Sequence, residues 1–200
     1  MSLRLEFFFD YGSPYSYLAD TQLGDLCTRT RTELVYRPML LGGVFKATGN
    51  RSPAAEPVEA KRRYGSIEMS RWVDYYGVPF QSNPHFPINT LGLMRACVAA
   101  QRLGIFPSFH SAIFPAFWVA GLDLGDAQVL SRVLGDAGID ASRILESAGD
   151  AEVKAELRGT TEEAVSRGAF GAPTFFVGDE IYFGADRLPL VERALLDAQG

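Results

Sequence analysis

Apolar and polar positions near the N-terminus follow first the period of a strand and then that of a helix. Residues 3–9 alternate and then become continuously apolar, which is typical of a strand entering a core. Apolar residues next recur at helical spacing from residue 15 to 27, behind Ser13 as an N-cap and Pro14 in the first turn. With a second strand pattern at residues 33–37, the chain begins with a predicted right-handed β-α-β unit.

The C-terminal end of the chain returns to strand patterns. Thr174–Val177 and Glu180–Phe183 flank Gly178-Asp179, a pair suited to a tight hairpin, and residues 186–199 have the spacing of a last helix. Gly and Pro divide the long middle segment into helical patterns at residues 58–76, 90–103, 109–119, 127–136, 141–147 and 152–167.

The order of these elements predicts an α/β fold. A β-α-β unit and a β-β-α unit form one domain, and an all-helical domain is inserted between them. An unstructured connection of that length would be improbable in a compact domain. The predicted domains are residues 1–45 with 168–200, and residues 46–167.

Composition and charge exclude several functional classes. A content of 47% hydrophobic and 22% charged residues describes a globular chain, and 19 Lys and Arg against 24 Asp and Glu give a net charge of −5. No general basic field therefore favours nucleic acid or anionic lipid, and we expect a small-molecule partner. No signal-peptide core is predicted, because the apolar run at residues 7–9 is short and lies between Glu6 and Asp10. No membrane span is predicted, because the uncharged residues 103–122 contain two prolines. We expect a cytoplasmic protein.

Cysteine and histidine are too few and too scattered for a disulfide framework or a metal site. Cys27 and Cys97 lie on apolar faces of predicted helices, and we expect both to be buried. His110 lies among aromatic residues and is predicted to be a core histidine whose ring nitrogens are satisfied.

Four stretches of the chain carry a family resemblance. They are Phe-Asp-Tyr-Gly-Ser-Pro-Tyr-Ser-Tyr-Leu at 9–18, Thr-Gly-Asn-Arg-Ser-Pro at 48–53, Asn-Pro-His-Phe-Pro-Ile-Asn-Thr at 83–90, and Phe-Gly-Ala-Pro-Thr at 170–174 with Phe-Gly-Ala-Asp-Arg at 183–187. In this order they resemble DsbA-like proteins of the thioredoxin fold, and within them the kappa-class glutathione transferases and the bacterial 2-hydroxychromene-2-carboxylate isomerases. The third stretch favours the isomerases.

The resemblance implies a change of chemistry from disulfide exchange to use of glutathione. DsbA-like oxidoreductases carry Cys-x-x-Cys where this chain has Ser13 and Ser16. Hydroxyl groups form no disulfide, so dithiol exchange is excluded. The family implies a glutathione-dependent isomerase that interconverts 2-hydroxychromene-2-carboxylate and trans-o-hydroxybenzylidenepyruvate, a step in aromatic hydrocarbon catabolism, by reversible thiolate addition. The alternatives are a kappa-like transferase or peroxidase, and a glutathione-binding domain without catalysis.

Ser13 is the candidate catalytic residue. For an arbitrary Ser-Pro helix start the hydroxyl serves as a cap alone. With the resemblance, the hydroxyl and the positive end of the helix dipole are expected to stabilise the glutathione thiolate. Ser13 is then a thiolate stabiliser rather than an acyl nucleophile.

The resemblance also implies a set of binding residues. We expect a cis peptide bond at Pro173, with the Ala172 backbone clamping glutathione, while the other prolines are expected in ordinary turns. Asp186 is read either as a helix N-cap or as a ligand for the γ-glutamyl end. The predicted glutathione site comprises Ser13, Pro14, Asn50, Lys61, Ala172, Pro173, Phe183, Gly184, Ala185 and Asp186.

The predicted substrate is a small aromatic 2-oxo acid. Phe86 would stack on the aromatic ring and His85 would polarise the phenol or the oxo group. Cationic side chains between residues 46 and 63 form either a solvated face or a site for carboxylates. The predicted substrate-binding residues are Phe45, Lys46, His85 and Phe86, and the resemblance implies a homodimer.

Overall fold

A computed structural model describes residues 3–199 and contains one four-stranded sheet. The strands follow the order β2-β1-β3-β4, in which β2 is parallel to β1 and the other neighbours are antiparallel. Their bounds are Arg4–Phe9 (β1), Glu33–Pro38 (β2), Thr174–Val177 (β3) and Glu180–Phe183 (β4). The predicted β-α-β and β-β-α units therefore share one sheet, and the fold class is confirmed.

Nine α-helices lie in the described residues. They are Pro14–Arg29 (α1), Leu41–Thr48 (α2), Glu59–Tyr76 (α3), Leu91–Arg102 (α4), Phe106–Trp118 (α5), Ala127–Asp136 (α6), Ala141–Ser147 (α7), Ala151–Ser166 (α8) and Leu188–Asp197 (α9), with 3₁₀ turns at Pro53–Ala55 and Ala185–Arg187. The sequence patterns predicted α6 and α7 with these bounds. They missed α2, which contains two adjacent glycines of low helix propensity.

The predicted boundary between residues 45 and 46 falls inside α2. Alternate residues of β1 point to opposite faces of the sheet. Phe7 and Phe9 share a core with helices α1, α4, α5 and α9, whereas Phe8 packs with Val44 of α2 and Ala164 of α8. The inserted helices thus share their core with the sheet.

The end of the chain differs from the expected single helix over residues 186–199. A 3₁₀ turn precedes α9, and the side chain of Asp186 makes no capping hydrogen bond, so the N-cap interpretation of Asp186 is wrong. Pro189 lies in the first turn of α9, the part of a helix in which the missing N–H of proline costs no hydrogen bond. The α-helix therefore begins later than the pattern suggests.

Both cis peptide bonds among residues 3–199 precede proline. Ala172-Pro173 is cis as expected, but Phe86-Pro87 is cis as well, which the sequence reading had not assigned. The trans form of an X–Pro bond is favoured by only about 0.5–1 kcal/mol, so the sequence pattern alone does not predict which X–Pro bonds are cis.

Residues 3–199 include no helix with the length and apolarity needed to cross a membrane.

Candidate functional site

Ser13 caps α1 and faces the loop that precedes β3. Its extended backbone (φ −97°, ψ 114°) lets Oγ accept a hydrogen bond from the Ser16 N–H at 3.1 Å. The same hydroxyl donates to the Ala172 carbonyl oxygen at 3.0 Å, and this carbonyl belongs to the cis peptide bond between Ala172 and Pro173. Ser13 is only 4% exposed. Two predicted site residues 159 positions apart are therefore in direct contact.

The start of α1 is suited to hold negative charge. No acidic side chain lies in its first turn, and Pro14 at its start has no N–H. Within residues 3–199 the N–H of Tyr15 has no hydrogen-bond partner, as expected for the open first turn of a helix. A free N–H and the helix dipole therefore stand beside the Ser13 hydroxyl.

Asp10 fixes the turn that carries Ser13. Its buried carboxylate accepts hydrogen bonds from the Gly12 N–H at 2.9 Å, the Leu41 N–H at 2.8 Å and the Thr90 hydroxyl at 3.0 Å. Burial raises the pKa of Asp10 above its ordinary value of 3.8, against the lowering effect of these bonds. One carboxylate thus joins the turn to the starts of α2 and α4.

Tyr11 anchors the same turn in the core. The Trp118 indole N–H donates to its carbonyl at 2.8 Å, and its hydroxyl lies 2.8 Å from Nδ1 of His110. Nε2 of His110 is 2.9 Å from a carboxylate oxygen of Asp20. His110 is buried and bonded through both ring nitrogens, which confirms it as a satisfied core histidine.

Two loops close the site opposite α1. The Gly184 N–H donates to the Pro173 carbonyl at 3.1 Å, so the turn after β4 lies beside the cis-proline loop. Gly184 has a φ of +104°, which favours glycine, and a Cβ there would lie 2.5 Å from Oδ1 of Asp186. Gly171 is also constrained, because a Cβ there would lie 2.7 Å from the Phe183 ring.

Asn50 links a third loop to this arrangement. Its side-chain amide donates to the Phe170 carbonyl at 2.8 Å. The Phe170 ring lies 4.4 Å, centroid to centroid, from the ring of Phe183, and both rings are exposed. Asn50 and Phe183 are thus joined through Phe170, which is part of the resembling stretch at 170–174.

Helix α3 contributes residues that the sequence reading missed. The Tyr76 hydroxyl donates to the Ala185 carbonyl at 2.7 Å. Burial, followed by the charges of Glu68 and Asp186, raises the pKa of Tyr15. These contacts place α3 beside the start of α1 and the turn after β4. Its aromatic residues on an otherwise polar helix were the signal that could have indicated it.

Other predicted residues lie elsewhere on the surface. Lys61 has a side chain 71% exposed and reaches Glu56 at 4.0 Å, and Phe45 is half-buried on α2. Lys46 lines a cavity between α2, α4 and α8. His85 and Phe86 are exposed, and the Phe86 ring lies 5.6 Å from Trp118, the residue that bonds Tyr11. No described contact joins these residues directly to Ser13.

The two cysteines supply no reactive thiol. Cys27 and Cys97 are buried and unpaired, as expected. Burial raises the pKa of Cys27 to about 11 and that of Cys97 further, so each remains a neutral thiol near neutral pH. Among residues 3–199 no group of three or more His, Cys, Asp and Glu could hold a metal ion. A thiolate at Ser13 would have to come from a ligand.

Comparison with known proteins identifies the family of this chain. Residues 4–196 match the family described as "DSBA-like thioredoxin domain". The chain belongs to this DsbA-like thioredoxin family. Within the family it is 33% identical to the 2-hydroxychromene-2-carboxylate isomerase of Sphingobium xenophagum, over 98% of this chain and 100% of that protein.

Other known proteins match this chain at lower identity. A kappa 2 glutathione S-transferase of Caenorhabditis elegans is 28% identical over 94% of this chain and 89% of that protein. A solved structure of a 2-hydroxychromene-2-carboxylate isomerase superposes with a TM-score of 0.86 at 26% identity, covering 98% of this chain and 96% of that one. These relatives confirm the predicted family and its isomerase branch.

Proposed function

We infer that the protein is a glutathione-dependent isomerase that interconverts 2-hydroxychromene-2-carboxylate and trans-o-hydroxybenzylidenepyruvate. The observation that carries this proposal is the Ser13 hydroxyl, buried at a helix N-terminus and bonded to the Ala172 carbonyl of the cis-proline loop. The isomerase relatives supply the substrate class.

The residues around Ser13 fit a cysteinyl peptide such as glutathione. The backbone of Ala172 lies at the helix start where a strand-like ligand could pair with it. The unpartnered N–H of Tyr15, within the described residues, and the Ser13 hydroxyl would hold the sulfur. When bound, glutathione supplies the thiol that adds reversibly to the conjugated double bond, permits rotation and leaves unchanged.

Ser13 would act by rotating its hydroxyl so that the proton donates a hydrogen bond to the glutathione sulfur. In the structure this proton points to the Ala172 carbonyl, while Oγ accepts from Ser16. A sulfur anion at the start of α1 would compete for the proton, and the hydroxyl can rotate to it while Oγ keeps the bond from Ser16. This stabilises the thiolate and lowers the fraction of neutral thiol at a given pH.

The remaining predicted residues are assigned to the ends of the ligands. Asp186, close to Tyr15 and the Tyr76-bonded turn, would bind the α-ammonium of the γ-glutamyl end, with Phe183, Gly184 and Ala185 supplying backbone. Pro14, Asn50, Lys61 and Pro173 complete the proposed glutathione site, and Phe45, Lys46, His85 and Phe86 the proposed substrate site.

The decisive experiment follows the interconversion by absorbance with and without glutathione while free thiol is titrated in parallel. We expect acceleration only with glutathione, at constant thiol. Loss of thiol on electrophiles or peroxides would instead identify a kappa-like transferase or peroxidase. Saturable glutathione binding without any turnover would identify a non-catalytic binding domain.

The location and assembly of the protein are part of the proposal. We propose a cytoplasmic homodimer, on the family resemblance. Sedimentation equilibrium of the purified chain tests the dimer, and a single species of about 22 kDa, near the 21.9 kDa of one chain, would contradict it.

A further inference from the structure

The cavity between α2, α4 and α8 that Lys46 lines has a volume of about 700 Å³. Its apolar lining comes from Leu40, Leu91, Leu157 and Val165. Four cationic side chains and a single carboxylate also line it: Lys46, Arg95, Lys154, Arg158 and Glu162. None of the groups that hydrogen-bond to the Ser13 side chain belongs to this lining.

The cations of this cavity have no ion-pair partner among the described residues. Nε of Arg95 is buried and has no hydrogen-bond partner. Across residues 3–199, no ion pair within 4.0 Å involves any of the four cations, whereas Arg37, Arg102 and Arg167 each have an acidic partner. Leaving a buried donor of a charged group unsatisfied is costly, and an anion in the cavity would remove that cost.

The arrangement of charge on α8 points to the same class of ligand. Lys154 and Arg158 are one turn apart and share a face of the helix. Like charges at this spacing repel each other, and an anion between them converts the repulsion into attraction. This concentration of positive charge stands in a chain whose net charge is −5.

The wall of the cavity adjoins the residues that bind the Asp10 carboxylate of the Ser13 turn. Leu40 and Leu91 in its wall each adjoin a residue that bonds Asp10, namely Leu41 and Thr90. The Leu40 N–H also donates to Thr161 of α8 at 2.9 Å. A ligand here would therefore bear on the residues that hold the Asp10 carboxylate.

We propose that this cavity binds a small organic dianion whose apolar body rests on the leucine and valine lining and whose two acidic groups engage the cations. The cations favour two negative charges, and the apolar lining favours an organic ligand over an inorganic one. The proposal does not rest on the chemistry at Ser13, because Ser13 is not part of the cavity lining; the cavity shares only Lys46 with the proposed substrate site.

Calorimetric titration of the full chain with 2,6-naphthalenedicarboxylate tests the site at low ionic strength. We expect saturable binding, and at least roughly tenfold weaker binding in the double variant Lys154→Ala/Arg158→Ala, since that variant removes two charge-assisted hydrogen bonds to the ligand. The control Arg143→Ala, an exposed cation on α7, should bind as the unmodified chain does. Ser13→Ala should also leave binding unchanged, which separates this cavity from the proposed glutathione site.

Several results would overturn the proposal. They are absence of binding at roughly millimolar ligand, equal affinity in the double variant and the unmodified chain, or loss of binding in Ser13→Ala. Inorganic phosphate titrated in the same way should bind more weakly, and equal affinity would refute the role of the apolar lining. If the double variant does not fold, Arg158→Ala alone, which removes an exposed side chain, carries the comparison.

Discussion

The turn that carries Ser13 and the basic segment of residues 46–63 are built in opposite ways. In the turn, Asp10, Tyr11 and Ser13 are buried, and their polar side-chain atoms are hydrogen-bonded. In the basic segment most side chains are exposed, and α3 buries no residue at all. The difference teaches that this fold fixes the group proposed to hold the sulfur, while the cations available to ligand carboxylates stay in solvent.

Removing the Asp10 carboxylate should produce the largest change. Asp10→Ala leaves one buried donor and two partly buried donors without an acceptor, so we expect the free energy of unfolding to fall by about 3 kcal/mol. Urea denaturation measures this, with Asp179→Ala in the exposed hairpin turn as the control. A loss below about 0.5 kcal/mol, the scale of ordinary surface changes, would contradict the anchoring role of Asp10.

Ser13→Ala should affect activity more than stability. Loss of a hydrogen bond to a charged sulfur costs about 1.5–3 kcal/mol, so we expect the glutathione-dependent rate to fall roughly tenfold to a hundredfold. Loss of the helix cap should lower the free energy of unfolding by only about 1 kcal/mol. Ser16→Ala is the matched control, because its buried Oγ has no hydrogen-bond partner. An unchanged rate and unchanged thiol ionisation in Ser13→Ala would refute the thiolate role.

The buried turn should also have its own dependence on pH. Because burial raises the folded-state pKa of Asp10 above 3.8, the folded protein holds a proton there that the unfolded chain releases. The contribution of Asp10 to stability is thus complete below its unfolded pKa and declines as pH rises through the raised value. The free energy of unfolding, measured by urea denaturation at several pH values in this range, should depend on pH more steeply in the unmodified chain than in Asp10→Asn. The same dependence on pH in both proteins would show that folding does not shift the pKa of Asp10.

The smallest effect is expected from the basic segment. Lys61→Ala removes an exposed side chain near Glu56, so the free energy of unfolding should change by less than about 0.5 kcal/mol. If Lys61 binds a glutathione carboxylate, the KM for glutathione should rise about threefold while kcat stays unchanged, since an exposed ion pair contributes about 0.2–1 kcal/mol. Arg63→Ala on the same helix is the control. Equal KM values for both variants would remove Lys61 from the proposed site.

The sequence predicted the fold further than it predicted the site. The helical spacing and the flanking Gly and Pro residues were enough to predict α6 and α7, and the structure shows that an aspartate caps the start of each, so local signals agree there. The contact between Ser13 and Ala172 joins residues 159 positions apart, and only the family resemblance brought them together. Lys46 lines the cavity between α2, α4 and α8 because it lies on α2. The sequence pattern did not predict this helix, which contains two adjacent glycines, and so could not predict the position of Lys46.

The shared core also limits how the molecule can move and diversify. Phe9 on the sheet and Phe114 on α5 belong to the same packed hydrophobic cluster. The inserted helices and the sheet therefore cannot rotate relative to each other as separate domains without disrupting this core. Ligand entry would then depend on α3 and its exposed neighbours instead of a hinge between domains. Because α3 buries no side chain completely, substitutions at its exposed positions, such as Arg63 and Arg71, should cost little in folding, whereas Trp72 and Tyr76 pack against the core. The surface of that helix can therefore change while the buried turn that carries Ser13 stays the same.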